Sequence, residues 1–140
     1  MKLKDKVAVI TGSSRGMGRL VALEMAKQGA KVVINGTTPQ PVDEVVREVL
    51  ASGGKAVANY DSVVAMEGGE RIIRTAIDNF GRIDILINNA AITRDRSLVR
   101  MTEEEWDSVI SVDLKGVFSC TKAAIGYMIE QKYGRIINVA

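Results

Sequence analysis

Gly12, Gly16 and Gly18 fall within the run Thr11-Gly-Ser-Ser-Arg-Gly-Met-Gly18. The run lies between an apolar stretch at 7–10 and a segment in which Leu20, Leu23 and Ala26 return at helical spacing. Glycines at the start of a helix let the backbone approach an anion with no Cβ in the way. The helix N-terminus adds unpaired N–H groups and a partial positive charge, which together suit a phosphate. The spacing is Gly-x-x-x-Gly-x-Gly, distinct from the commoner Gly-x-Gly-x-x-Gly fingerprint, and no Gly-Lys-Ser or Gly-Lys-Thr follows, which argues against a P-loop. Taken alone, the same glycines would also serve a tight strand-to-helix loop packed on a sheet.

Other chemistry is sparse. The 140 residues contain no histidine and one cysteine, Cys120, so no Cys/His metal site, His-based triad or internal disulfide is expected. Cys120 has no base beside it in sequence and reads as a small buried residue. Lys and Arg number 19 against 17 Asp and Glu, and the net charge of +2 implies no general attraction to nucleic acid or membrane. The charged start, Met1 to Lys6, does not resemble a signal peptide, and no apolar run of about 18 residues occurs. These features lead to the expectation of a cytoplasmic protein.

The elements that must position the glycine turn alternate along the chain. Strands are expected at 7–10, 31–35, 56–59, 83–89 and 135–140. Helices are expected after Gly18, from Pro41 to about Leu50, from Ala65 to Phe80, and from a capping box at Thr102 and Glu105 onward. That last helix is expected to be long and continuous, with Trp106, Ile110, Leu114, Val117, Thr121, Ile125 and Met128 on one apolar stripe. Gly68 and Gly69 weaken the start of the helix before it. The rhythm predicts an α/β doubly wound parallel sheet of order 3-2-1-4-5, with a ligand crevice at the carboxyl ends of strands one and four.

Four segments in this order resemble the short-chain dehydrogenase/reductase family: the turn at 11–18, Asn59-Tyr-Asp61, Asn88-Asn-Ala-Ala91 and Val112-Asp-Leu-Lys-Gly116. Stretches at 53–63, 94–97 and 131–137 are similar to the 3-hydroxyacyl-CoA dehydrogenase module of multifunctional β-oxidation enzymes, and 92–95 is similar to 3-oxoacyl-thioester reductases. The resemblance implies a Rossmann fold that transfers a hydride between a nicotinamide dinucleotide and a carbonyl or alcohol. It assigns Gly12, Gly16, Met17 and Gly18 to the pyrophosphate side, Ser14 and Arg15 to the adenosine ribose, and Asp61 and Ser62 to the adenine. Asn88, Asn89, Ala90 and Ala91 would brace the sheet and cover the cofactor. Asp61 could instead cap a turn, and the two asparagines could simply satisfy strand-end carbonyls.

Cofactor choice rests on the end of strand two. Asn35, Gly36, Thr37 and Thr38 include no acid to bind a free ribose 2′-hydroxyl, while Arg15 and Thr37 could meet a 2′-phosphate, which favours NADP(H) over NAD(H). The family's proton machinery departs from its pattern here. Asp113 stands at the usual Asn position, Tyr127 and Tyr133 are followed four residues later by Gln131 and Ile137 in place of Lys, and the Ser expected after strand five is absent. Residues 1–140 are therefore expected to form one dinucleotide-binding domain, incomplete at its C-terminus. Such a domain would bind cofactor with little or no turnover of a carbonyl or acyl-thioester substrate. Strand five would be an open edge, so a homo-oligomer through that strand or through Val117, Thr121 and Met128 of the long helix is expected. Two other readings remain open: a non-catalytic nucleotide-binding or interaction module, and a flavodoxin-like FMN protein, the latter lacking an aromatic residue near the turn.

Overall fold

The computed structural model describes residues 1–140. Strands β1 (Val7–Ile10), β2 (Lys31–Asn35), β3 (Lys55–Asn59), β4 (Ile85–Asn88) and β5 (Arg135–Asn138) form one parallel sheet in the order β3-β2-β1-β4-β5. This is the order expected from right-handed crossovers. Helices α1 (Gly16–Lys27), α2 (Pro39–Ala51) and α3 (Met66–Phe80) follow the first three strands. After β4 come α4 (Glu103–Val109), a π-helical segment (Ile110–Lys115) and α5 (Gly116–Gln131).

Alternation along the strands divides the core into two layers. Ala8, Ile10, Val32 and Ile34 face α1 and α2, where they meet Ala22, Ala26, Val42, Val45 and Val49. Val7, Val9, Val33 and Leu86 face α3 and α5, against Ile72, Ile73, Ala76, Cys120, Ala124 and Met128. Both faces of β1 are covered, and its four residues are fully buried. Each such Val or Ile contributes about 1.5–3 kcal/mol relative to exposure. Asp84, fully buried just before β4, accepts from Val7 N at 2.9 Å and is paired with Arg82 at 2.7 Å.

The capping box forms as expected: Glu105 N donates to Thr102 Oγ1, and Thr102 N donates to the Glu105 carboxylate, both at 3.2 Å. The continuous helix behind it does not form. The π segment bonds i to i+5 and so changes the angular register between α4 and α5. The expected stripe consequently fails to be a buried face. Trp106, Leu114 and Ile125 are exposed, Val117 and Thr121 are half-buried, and Met128 alone is in the core. The face that does pack on α3 consists of small residues, Gly116, Ser119, Cys120 and Ala124, with Met128. No helix is long and apolar enough to cross a membrane.

Candidate functional site

The carboxyl ends of the strands are tied together by side-chain amides. Asn35 and Asn59 are register partners at the ends of β2 and β3, and Asn35 Nδ2 donates to Asn59 Oδ1 at 2.9 Å. Asn88 and Asn138 repeat the arrangement at the ends of β4 and β5, also at 2.9 Å. Next to β1, Thr11 Oγ1 accepts from Asn89 N at 3.0 Å and Ala90 N at 2.9 Å. These amides carry the bracing role expected of Asn88 and Asn89, and they fix the strand ends around a cleft.

The glycine turn lies against that edge. Gly12 has φ +61, and a Cβ there would come within 2.9 Å of Ala90 Cα, so both the conformation and the space require glycine. Ser13 Oγ donates to Ile10 O at 2.7 Å and accepts from Asn35 N at 3.0 Å, which locks the turn to the end of β2. Arg15 is the N-cap of α1 in extended conformation and places no side-chain bond on the helix. The first-turn N–H groups are thus left for an anion. Arg15 is itself exposed and forms none of the chain's ion pairs.

A cleft of about 520 Å³ opens over the turn. Gly12, Ser14, Arg15, Gly16, Met17 and Gly18 line one wall; Asn35 and Thr37 stand at the end of β2; Asp61 and Ser62 follow β3; Ala90 and Ala91 follow β4. Asn35 reaches the cleft with little surface, being 2 % exposed, so it shapes the site more than it touches a ligand. Asn88 is outside the lining and buried, with Nδ2 donating to Thr121 Oγ1 and Asn138 Oδ1. Asp61 is held by Arg71 Nε at 2.7 Å and Asn59 Nδ2 at 2.9 Å, and the pair raises the Arg71 guanidinium's pKa further.

Asp113 is not among the cleft residues. It sits in the π segment, and its Oδ1 accepts from Ile92 N at 2.8 Å. Ile92 does line the cleft, so the acid acts on the site through the backbone after β4. Val63, Ile92 and Val112 are apolar lining residues that sequence reading did not single out. Their signal was weak, since isolated apolar residues next to turns resemble ordinary core. Tyr133 precedes β5 at the amino ends of the strands, opposite the carboxyl ends that border the cleft, with Lys6 Nζ 3.9 Å from its ring centroid, and cannot reach the cleft. Cys120 is fully buried between α3 and the sheet, and burial pushes its thiol up to about 11.

The residues present fit a dinucleotide, because Gly16 faces open space in the cleft where a Cβ would stand and the open α1 terminus supplies anion donors. The sequence profile of the family described as short chain dehydrogenase matches residues 6–140. The chain is 49% identical over 146 residues to the peroxisomal multifunctional enzyme A of Dictyostelium discoideum, covering 98% of this chain and 32% of that protein. It is 47% identical over 138 residues to a 3-oxoacyl-[acyl-carrier-protein] reductase of Synechocystis sp., covering 98% of this chain and 56% of that protein. Among solved structures, it superposes with a TM-score of 0.94 and 33% identity on a metagenomic short-chain oxidoreductase in complex with NADP, covering 100% of this chain and 64% of that one. The chain therefore spans less than two thirds of each of these proteins.

Proposed function

The chain belongs to the short-chain dehydrogenase family, and from that premise we propose that it forms the NADP(H)-binding part of an oxidoreductase acting on 3-oxoacyl or 3-hydroxyacyl thioesters. The observation that carries the cofactor preference is the charge around the cleft. Arg15 is the one cation lining it, and no acid follows β2, where Gly36 leaves the position without a side chain and Thr37 offers a hydroxyl. An acid there would repel a 2′-phosphate; a guanidinium attracts one. The NADP held by the metagenomic neighbour supports the same choice. The thioester class is supported by the names of the relatives from Dictyostelium and Synechocystis.

Gly12, Gly16 and the open first turn of α1 hold the pyrophosphate, Arg15 and Thr37 the ribose phosphate, and Asp61 with Ser62 the adenine. Ala90, Ala91 and Ile92 close the far wall, with Asp113 fixing the Ile92 amide. The bound dinucleotide supplies the hydride. The Tyr-x-x-x-Lys pair that moves the proton in the family does not occur in these residues, and Tyr133 stands at the amino ends of the strands, away from the cleft. These 140 residues alone accordingly bind cofactor with little or no turnover. That observation also favours a second reading, a nucleotide-binding module without catalysis. We further propose that copies of the chain associate.

The test is a fluorescence titration with NADPH and with NADH, followed in the same cuvette by addition of an acetoacetyl thioester. Tighter binding of NADPH, without turnover, is expected. Equal affinity for the two would remove the NADP(H) preference, and rapid turnover would remove the claim of inactivity.

A further inference from the structure

Asn35 has every hydrogen-bonding group engaged. Its backbone N donates to Ser13 Oγ at 3.0 Å and its O accepts from Ser13 N at 2.8 Å. Its Oδ1 accepts from Gly12 N at 3.1 Å, while Nδ2 donates to both Asn59 Oδ1 and Asp61 O at 2.9 Å. Asn59 extends the chain of bonds: its Oδ1 accepts from Asp61 N, and its Nδ2 donates to Asp61 Oδ2, each at 2.9 Å. One buried amide thus touches the phosphate turn with its acceptor and the segment after β3 with its donors. Only an amide offers that combination; a carboxylate has no donor, and a hydroxyl has one.

We propose that Asn35 is a positioning residue that couples the glycine turn to the Asp61 segment, so that a ligand held at one end orders the other. The proposal deepens the dinucleotide reading and rests on it. A planar amide cannot rotate to keep Asp61 O while releasing Gly12 N, because both bonds lie in one rigid group. A rotation of the amide that follows Asp61 O is therefore passed to Gly12 N. A buried network of this kind is costly when partly broken, which makes its two ends behave as one.

Backbone amide exchange read by nuclear magnetic resonance tests the coupling, with adenosine as probe because it has no phosphate to touch the turn. At about three times its dissociation constant, adenosine should slow exchange at Asp61 N and also at Gly12 N by about fourfold in the unaltered chain. In Asn35→Asp, which keeps an acceptor for Gly12 N and loses both donors, Asp61 N should still respond and Gly12 N should not. A merely structural role would lower stability in the variant and leave the response at Gly12 in place. Protection of Asp61 N without Gly12 N in the unaltered chain overturns the proposal even if the variant fails to fold, as does a Gly12 response retained in Asn35→Asp. Silence at both amides while NADPH still binds overturns the coupling alone; absence of NADPH binding overturns the dinucleotide reading and the coupling with it.

Discussion

Arg15 and Asp61 are the one cation and the one anion lining the cleft, and they sit in different circumstances. Asp61 is paired with Arg71, whereas Arg15 forms no ion pair and is free to meet a ligand. A charge-assisted contact to phosphate is worth about 1.5–3 kcal/mol, so Arg15→Ala should weaken NADPH binding about 10- to 100-fold. NADH, with no phosphate at that position, should lose no more than about threefold. Equal losses in paired titrations would contradict the assignment. Cys120 gives a second prediction. Its thiol is raised from 9.0 to about 11 by burial, so the neutral form is favoured in the folded chain. Its contribution to stability is present in full below about pH 9 and is lost as pH rises toward 11, amounting to about 3 kcal/mol at most. Urea midpoints should fall across that interval, and Cys120→Ala should flatten the fall; alkylation by iodoacetamide at pH 8 should require unfolding.

At the scale of elements, the start of α3 sets two local rules against each other. Glycine in a helix costs about 1 kcal/mol relative to alanine, and Gly68 and Gly69 stand side by side there. The packing explains them. A Cβ at Gly68 would lie 1.8 Å from Ser62 O, and one at Gly69 would lie 2.8 Å from the Ser119 backbone. Because both obstacles are backbone, neither can swing aside. Gly68→Ala should therefore destabilise the chain by about 1–3 kcal/mol despite the better helix propensity, and should weaken NADPH binding by displacing Ser62. A variant more stable in urea would show that α3 can shift at no cost. Ser119 Oγ donating to Val63 O at 2.8 Å holds the same segment from α5, which ties the cleft to the helix behind it.

For the whole molecule, the outer side of the α4–α5 layer is apolar. Trp106, Leu114, Phe118, Ile125 and Ile129 are exposed, with Phe118 at 56% and Ile129 at 69%. The edge strand β5 adds Ile137, half exposed. Association is expected to cover α5 through Phe118, Ile125 and Ile129, on the exposed flank beside Met128, which is itself buried in the core. Sedimentation at micromolar concentration should show a species larger than a monomer, and Phe118→Glu with Ile125→Glu should shift it to the monomer. A sharp monomer in the unaltered chain would contradict the association.

The glycine turn and the alternation of strands and helices were legible from local signals, and the handedness of crossovers then gave the strand order. Apolar runs of four or five residues, glycine at Gly12 and the capping box at Thr102 are properties of short segments, and each acts whatever the rest of the chain does. The family resemblance added the residues after β3 and β4. The tertiary structure decided what depends on residues far apart. The π segment broke a helix whose spacing alone looked regular, and it turned the expected stripe away from the core. Asn35 became a buried hub because Gly12, Asn59 and Asp61 converge on it, at separations of about two dozen residues that no local pattern encodes. Periodicity reports which face is apolar, but only packing determines which face meets a neighbour, because small residues such as Gly116 and Ser119 admit a closer helix than larger ones do.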